Sequence, residues 1–124
     1  MAAIKENSTN QENKQIIKGF CPVTLTIEKI GGRWKPLILY HLGENTMRYG
    51  QLKKAIPAIT EKMLIQHLRE LEADNLISRD VKPVVPPHVE YSLTPTGKSL
   101  SPLLNEMAKW GIKLGATEKQ QMDI

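Results

Sequence analysis

Apolar residues recur at helical spacing along most of the chain, and glycine and proline punctuate them. In CPVTLTIEKIGG, Pro22 suits a first helical position, Val23, Ile27 and Ile30 follow at helical spacing, and Gly31 and Gly32 end the run. RWKPLILYHLG predicts a second helix, with Pro36 tolerable in its first turn and Gly43 at its exit. Its broad apolar surface, from Trp34, Leu37, Ile38, Tyr40 and Leu42, is that of a central helix. TMRYGQLKKAIP predicts a short extended piece over 46–48 and a brief helix around 50–56, with Leu52 and Ile56 inward and Pro57 as its stop. The link to the next helix is so short that the two must turn sharply against each other, as in a helix-turn-helix.

That next helix is predicted over 61–73, with Thr60 as N-cap and Glu61 at the positive end of its dipole. Asn75 suits a left-handed cap. At 100° per residue Leu64, Leu68 and Leu71 fall on one side, and Lys62, Gln66 and Arg69 fall nearly opposite. LISRDVK and VEYSLT read as two strands joined by the proline-rich PVVPP. One last helix is expected after Thr94, with Pro95 first and a wide stripe of Leu100, Leu103, Leu104, Met107 and Trp110. A terminal helix this apolar in so small a domain often packs against a partner chain as well as its own core.

The expected architecture is therefore mainly α with a small β-hairpin (α+β). At 124 residues one domain is expected, over 16–115, with a mobile arm at 1–15 and a tail at 116–124. Aromatic residues are 5% of the chain, so the core must be aliphatic. No apolar run approaches the roughly 18 residues of a membrane span, and the N-terminus lacks the apolar centre of a secretory signal. A single cysteine, Cys21, excludes an intrachain disulfide, and a cytoplasmic location is expected. The net charge of +4 suits a polyanionic partner without establishing one.

A helix, a tight turn, a second helix and a two-stranded hairpin are the parts of a winged helix-turn-helix. In that arrangement the second helix enters the DNA major groove. Lys62 can then meet phosphate or guanine, Gln66 can donate to and accept from adenine, and Arg69 can pair with guanine or phosphate. The alternatives are a merely solvated face, or a winged-helix module that meets an acidic protein partner without a specific DNA target.

The segments CPV, GGRW, LILYHL, RYGQLKKAIPAITEKMLIQHLRELEADNLISR, VPPHVEYSLTPTG and LLNEMAKWG, in that order, closely resemble the HxlR-type family of bacterial transcriptional regulators, allied to the MarR group. The resemblance covers about residues 21–111. It implies a homodimeric, DNA-binding repressor or activator, with first and last helices in the dimer interface; two-fold symmetry then predicts a pseudo-palindromic operator. Carried over by position, it implies DNA contacts at Thr60, Lys62, Met63, Gln66 and Arg69, at Arg48 on the small strand, and at His88 on the wing. Ala58 and Asn75 stand where glycine is usual in the family, and Lys82 where an aromatic is common.

Some members of this family sense oxidants or electrophiles through an N-terminal cysteine, and Cys21 just before the first helix occupies such a place. A helix N-terminus and the nearby Lys18 would stabilise a thiolate there; the other reading is a small buried hydrophobe. His41, His67 and His88 make no metal-ligand spacing with one another or with Cys21, so neither metal nor cofactor is expected. No phosphate loop, nucleophile elbow or HExxH pattern occurs, and an enzyme is not expected. Trp34 and Trp110 are expected to anchor the core or a dimer contact.

Overall fold

A computed structural model of the protein describes residues 19–43 and 45–122. The expected arm at 1–15 and Lys18 lie outside the described residues. The helices are α1 (Pro22–Ile30), α2 (Lys35–Leu42), α3 (Tyr49–Ala55), α4 (Glu61–Ala73), α5 (Pro95–Lys98) and α6 (Ser101–Met122). The strands are β1 (Met47–Arg48), β2 (Ile77–Lys82) and β3 (His88–Leu93). α1 belongs to a compact unit ending at Ile30, and a second unit beginning at Gly31 holds all the other elements.

In the first unit, Pro22 opens α1 and the Leu25 N–H donates to the Cys21 carbonyl at 3.0 Å, which makes Cys21 the N-cap. Apart from Ile30, the helix is exposed, Val23, Leu25 and Ile27 included. In the second unit, Gly32 adopts φ +88°, a left-handed conformation that glycine takes without steric cost.

The core of the second unit is aliphatic, as the composition requires. Ile38, Leu39 and Leu42 of α2, Leu52 of α3 and Leu64, Leu68 and Leu71 of α4 are buried with Leu76, Ile77, Leu93 and Leu104. Ile56 and Ile59 are buried in the turn between α3 and α4, where the Ile59 N–H donates to the Ile56 carbonyl at 3.2 Å. Anchoring both ends of so short a link fixes the two helices of the helix-turn-helix against each other. α4 leaves through a Schellman arrangement: Asn75 takes φ 60°, its N–H meets the Glu72 carbonyl, and the Leu76 N–H reaches the Leu71 carbonyl, each at 3.0 Å.

The sheet is three-stranded and antiparallel in the order β1-β3-β2, so the short piece at 47–48 extends the expected hairpin by a strand. Ile77 pairs with Leu93 at the core end and Lys82 with His88 at the tip, while Met47 and Arg48 pair with Tyr91 and Glu90.

The single terminal helix expected after Thr94 is in fact two. α5 closes at Ser99, whose N–H donates to the Pro95 and Thr96 carbonyls, and α6 begins at Ser101. Pro102 has no N–H to offer the Lys98 carbonyl, and its ring crowds that carbonyl, so a continuous helix cannot pass. α6 then continues beyond residue 115 to Met122. Of the expected apolar stripe, Leu104 is buried whereas Leu103, Met107 and Trp110 are exposed. Trp110 is therefore no core anchor in the single chain; Trp34 is half-buried, with the Arg33 guanidinium 4.6 Å over its ring. Among the described residues no helix is long and apolar enough to cross a membrane.

Candidate nucleic-acid interface

α4 begins at an N-cap that local chemistry dictates. The Met63 N–H donates to Thr60 Oγ1 at 3.1 Å, satisfying one of the orphan donors of the first turn. Thr60 is thus committed to the cap while remaining exposed, and Met63 is half-buried beneath it. Burial of Leu64, Leu68 and Leu71 turns the opposite face outward, and Lys62, Gln66 and Arg69 are all exposed on it. These three, with Ile65 and Glu70, line one shallow surface groove.

Glu70 has a larger part in this face than its place in the sequence suggests. Its carboxylate binds Lys35 Nζ of α2 at 2.7 Å and accepts from Gln66 Nε2 at 3.1 Å. His67 Nδ1 stands 3.5 Å from the carboxylate, too far for a full hydrogen bond, and adds electrostatic attraction when protonated. The hydrogen bonds from Lys35 and Gln66 pull the Glu70 carboxyl down to about 2, so it stays ionised at any physiological pH. Neutralised by Lys35, it repels an approaching phosphate less than a free carboxylate would. Neither Glu70 nor Lys35 stands out in the sequence as part of this face. One signal was available: a lysine at the positive end of the α2 dipole is disfavoured unless a tertiary partner holds it.

The strands place Arg48 and His88 on one face of the sheet. Residues paired across antiparallel strands, and those two apart, share a face, so Ser78, Asp80 and Lys82 lie with Arg48, His88, Glu90 and Ser92. Ser78 and Ser92 join through their hydroxyls at 3.0 Å. Lys82 pairs with Asp80 at 2.8 Å and stands 3.9 Å from Glu90; both carboxylates raise its pKa, Asp80 more strongly. His88 Nε2 meets Glu90 Oε2 at 3.0 Å. Arg48 is exposed, caps α3 through its own backbone, with its N–H donating to Gln51 Oε1 at 2.8 Å, and stands opposite Glu90. Two carboxylates thus sit among the cations of this face, and its positive charge is largely offset within the wing. On the α4 face Lys62 and Arg69 are exposed beside Gln66, and the Glu70 carboxylate next to them is paired with Lys35. At the tip Val84 and Val85 are exposed, Val85 by 99%.

Cys21 is exposed in the single chain. At the N-cap its sulfur receives hydrogen bonds from the Thr24 side chain and from the Thr24 and Val23 backbone, in decreasing order of effect, and these lower the thiol pKa. Among the described residues no group of three or more His, Cys, Asp or Glu could hold a metal ion.

The chain is similar to known regulators in both sequence and fold. An HTH-type transcriptional regulator of Bacillus subtilis, YdzF, is 54% identical over 95 residues, spanning 76% of this chain and 87% of the relative. The solved structure of the redox regulator HypR in its oxidized form superposes with a TM-score of 0.73 at 44% identity, over 75% of this chain and 96% of that one. The reduced form of the transcriptional regulator YodB from B. subtilis gives 0.66 at 35% identity, over 73% and 90%. The sequence itself matches the HxlR-like helix-turn-helix model over residues 29–119, the stretch that contains α2 to α5, the sheet and most of α6. The chain therefore belongs to the HxlR-like helix-turn-helix family of DNA-binding transcriptional regulators.

Proposed function

We propose that the protein acts in the cytoplasm as a homodimer on a pseudo-palindromic operator, with α4 of each protomer in the major groove. One observation carries this reading: three buried leucines on α4 oblige Lys62, Gln66 and Arg69 to project together from the opposite face. Gln66 and Arg69 face base edges, Lys62 meets guanine or phosphate, and Thr60 and Met63 set the approach of the helix N-terminus to the backbone. Arg48 and His88 contact phosphate beside the wing. Exposed apolar residues on α1 and on α6 supply the dimer contact.

Footprinting on a selected operator tests the arrangement. Two-fold symmetry predicts protected half-sites centred about 34 Å apart, or a multiple of it. Affinity should fall steeply with salt as phosphate contacts release counterions. A footprint without a dyad would contradict the dimeric arrangement. A shallow salt dependence would instead assign the α4 face to an acidic protein partner.

A redox input is favoured by a separate observation, the exposed Cys21 at an N-cap that stabilises its thiolate. A disulfide between the Cys21 thiols of the two protomers, formed as an oxidant such as diamide takes up their two electrons and two protons, would alter the dimer and so the spacing of the two recognition helices. Diamide should change operator affinity in the wild type and leave Cys21→Ser unaffected; equal responses in the two proteins would count against it.

A further inference from the structure

The Glu70 carboxylate is held from both sides, by a cation from another helix and by the amide that the interface presents to DNA. Lys35 is only 13% exposed, so its ammonium needs a partner, and Glu70 Oε1 stands 2.7 Å away. That bond pins the carboxylate against α2. The other oxygen, Oε2, receives Gln66 Nε2 at 3.1 Å. A carboxylate can only accept, so it selects the nitrogen end of the Gln66 amide and turns Oε1 away. One N–H and the carbonyl oxygen are left for a ligand. Adenine asks for that pair, a donor to N7 and an acceptor for the N6 amino group, whereas guanine offers two acceptors, N7 and O6. A free glutamine could reverse its amide at little cost; one tied to a fixed carboxylate cannot.

We propose that Glu70, locked by Lys35, is a positioning residue for DNA recognition that fixes the Gln66 amide and so makes it discriminate adenine from guanine. The proposal rests on the reading of α4 as the recognition helix. In Glu70→Gln the replacement side chain can donate or accept, so it no longer dictates the orientation of Gln66.

The test is a competition titration of the full-length protein on four duplexes that differ only in the base facing Gln66, the position located as the one Gln66→Ala alters. Wild type should prefer adenine over guanine there by roughly tenfold. Glu70→Gln should reduce that preference to within about threefold while keeping its preferences elsewhere in the site. Because Glu70→Gln leaves Lys35 unpaired, Lys35→Met/Glu70→Gln is measured beside it, with folding followed by circular dichroism, and should lose the same preference. If Gln66→Ala alters no position, the underlying reading of Gln66 fails. If Gln66→Ala alters one position and the folded Glu70 variants retain the adenine preference there, the reading of α4 stands and the positioning role is overturned. A uniform loss of affinity across all four duplexes also overturns it, since a merely structural or electrostatic role would act that way.

Discussion

Glu70 shows how much of the interface lies below the reach of sequence patterns. Thr60 was legible because an N-cap is local: the hydroxyl and the N–H it satisfies lie three residues apart. The Lys35–Glu70 pair joins two helices, and no periodicity connects its ends. Its pH signature is specific. The carboxyl moves from its ordinary 4.5 to about 2 on folding, a depressed carboxylate. Its contribution to stability is therefore fully present above 4.5 and is lost as pH falls from there toward 2. Thermal midpoints of wild type and Glu70→Gln should differ by a constant amount between pH 5 and 7 and converge as pH drops toward about 2. A difference unchanged by acid would deny the carboxylate this role. The same local logic explains why the Cys21 thiol pKa is lowered, since the cap donors lie in the next turn, though its exposure could not be read from residue type.

At the scale of elements, α4 and its buried leucines were readable because one helix carries both the apolar row and the polar one. The end of the chain was not. Its apolar stripe continues through a break, since Pro102 interrupts the backbone without interrupting the hydrophobic pattern, and α5 and α6 read as one helix. The extended piece expected over 46–48 is a strand two residues long, and what the sequence could not show is its pairing with β3 at the edge of the sheet. Between these pieces Thr94 acts as a junction. Its hydroxyl donates to the Asn75 carbonyl at 2.7 Å and accepts from the Gly97 N–H at 3.0 Å, while its own N–H reaches the Leu76 carbonyl at 3.1 Å. The fit is so close that a Cβ on Gly97 would collide with the Leu76 carbonyl oxygen, a backbone atom that cannot step aside. Gly97→Ala should destabilise the fold by about 2 to 3 kcal/mol in denaturant unfolding, the cost of overpacking a tight site. A change below about 0.5 kcal/mol, the level of an ordinary surface substitution, would show that this junction is looser than described.

Among the described residues several large apolar side chains lie exposed. Trp110 is 67% exposed and Ile112 73%, and on α1 Val23 and Ile27 are likewise uncovered. Large exposed apolar residues grouped on an element mark an association surface more often than a solvent face. The resemblance implied dimer contacts on the first and last helices, and the exposure of these side chains in the single chain supports that proposal. Trp110→Lys should shift the monomer–dimer equilibrium toward monomer by at least about tenfold in sedimentation equilibrium, since burying an unpaired charge in an apolar contact is costly. Its circular dichroism spectrum should stay that of the wild type, because Trp110 supports no core packing. An undisturbed dimer would exclude the exposed α6 face from the contact. Operator affinity should weaken with dissociation, because one recognition helix then reads only one half-site.

In vitro selection from a pool of randomised duplexes, run side by side on wild type and Gln66→Ala, addresses the outward row of α4 most directly. Wild type should enrich a two-fold symmetric motif, and Gln66→Ala should flatten one position in each half while the rest of the motif persists. No enriched motif, or a motif identical in the two proteins, would contradict the assignment of base reading to that row.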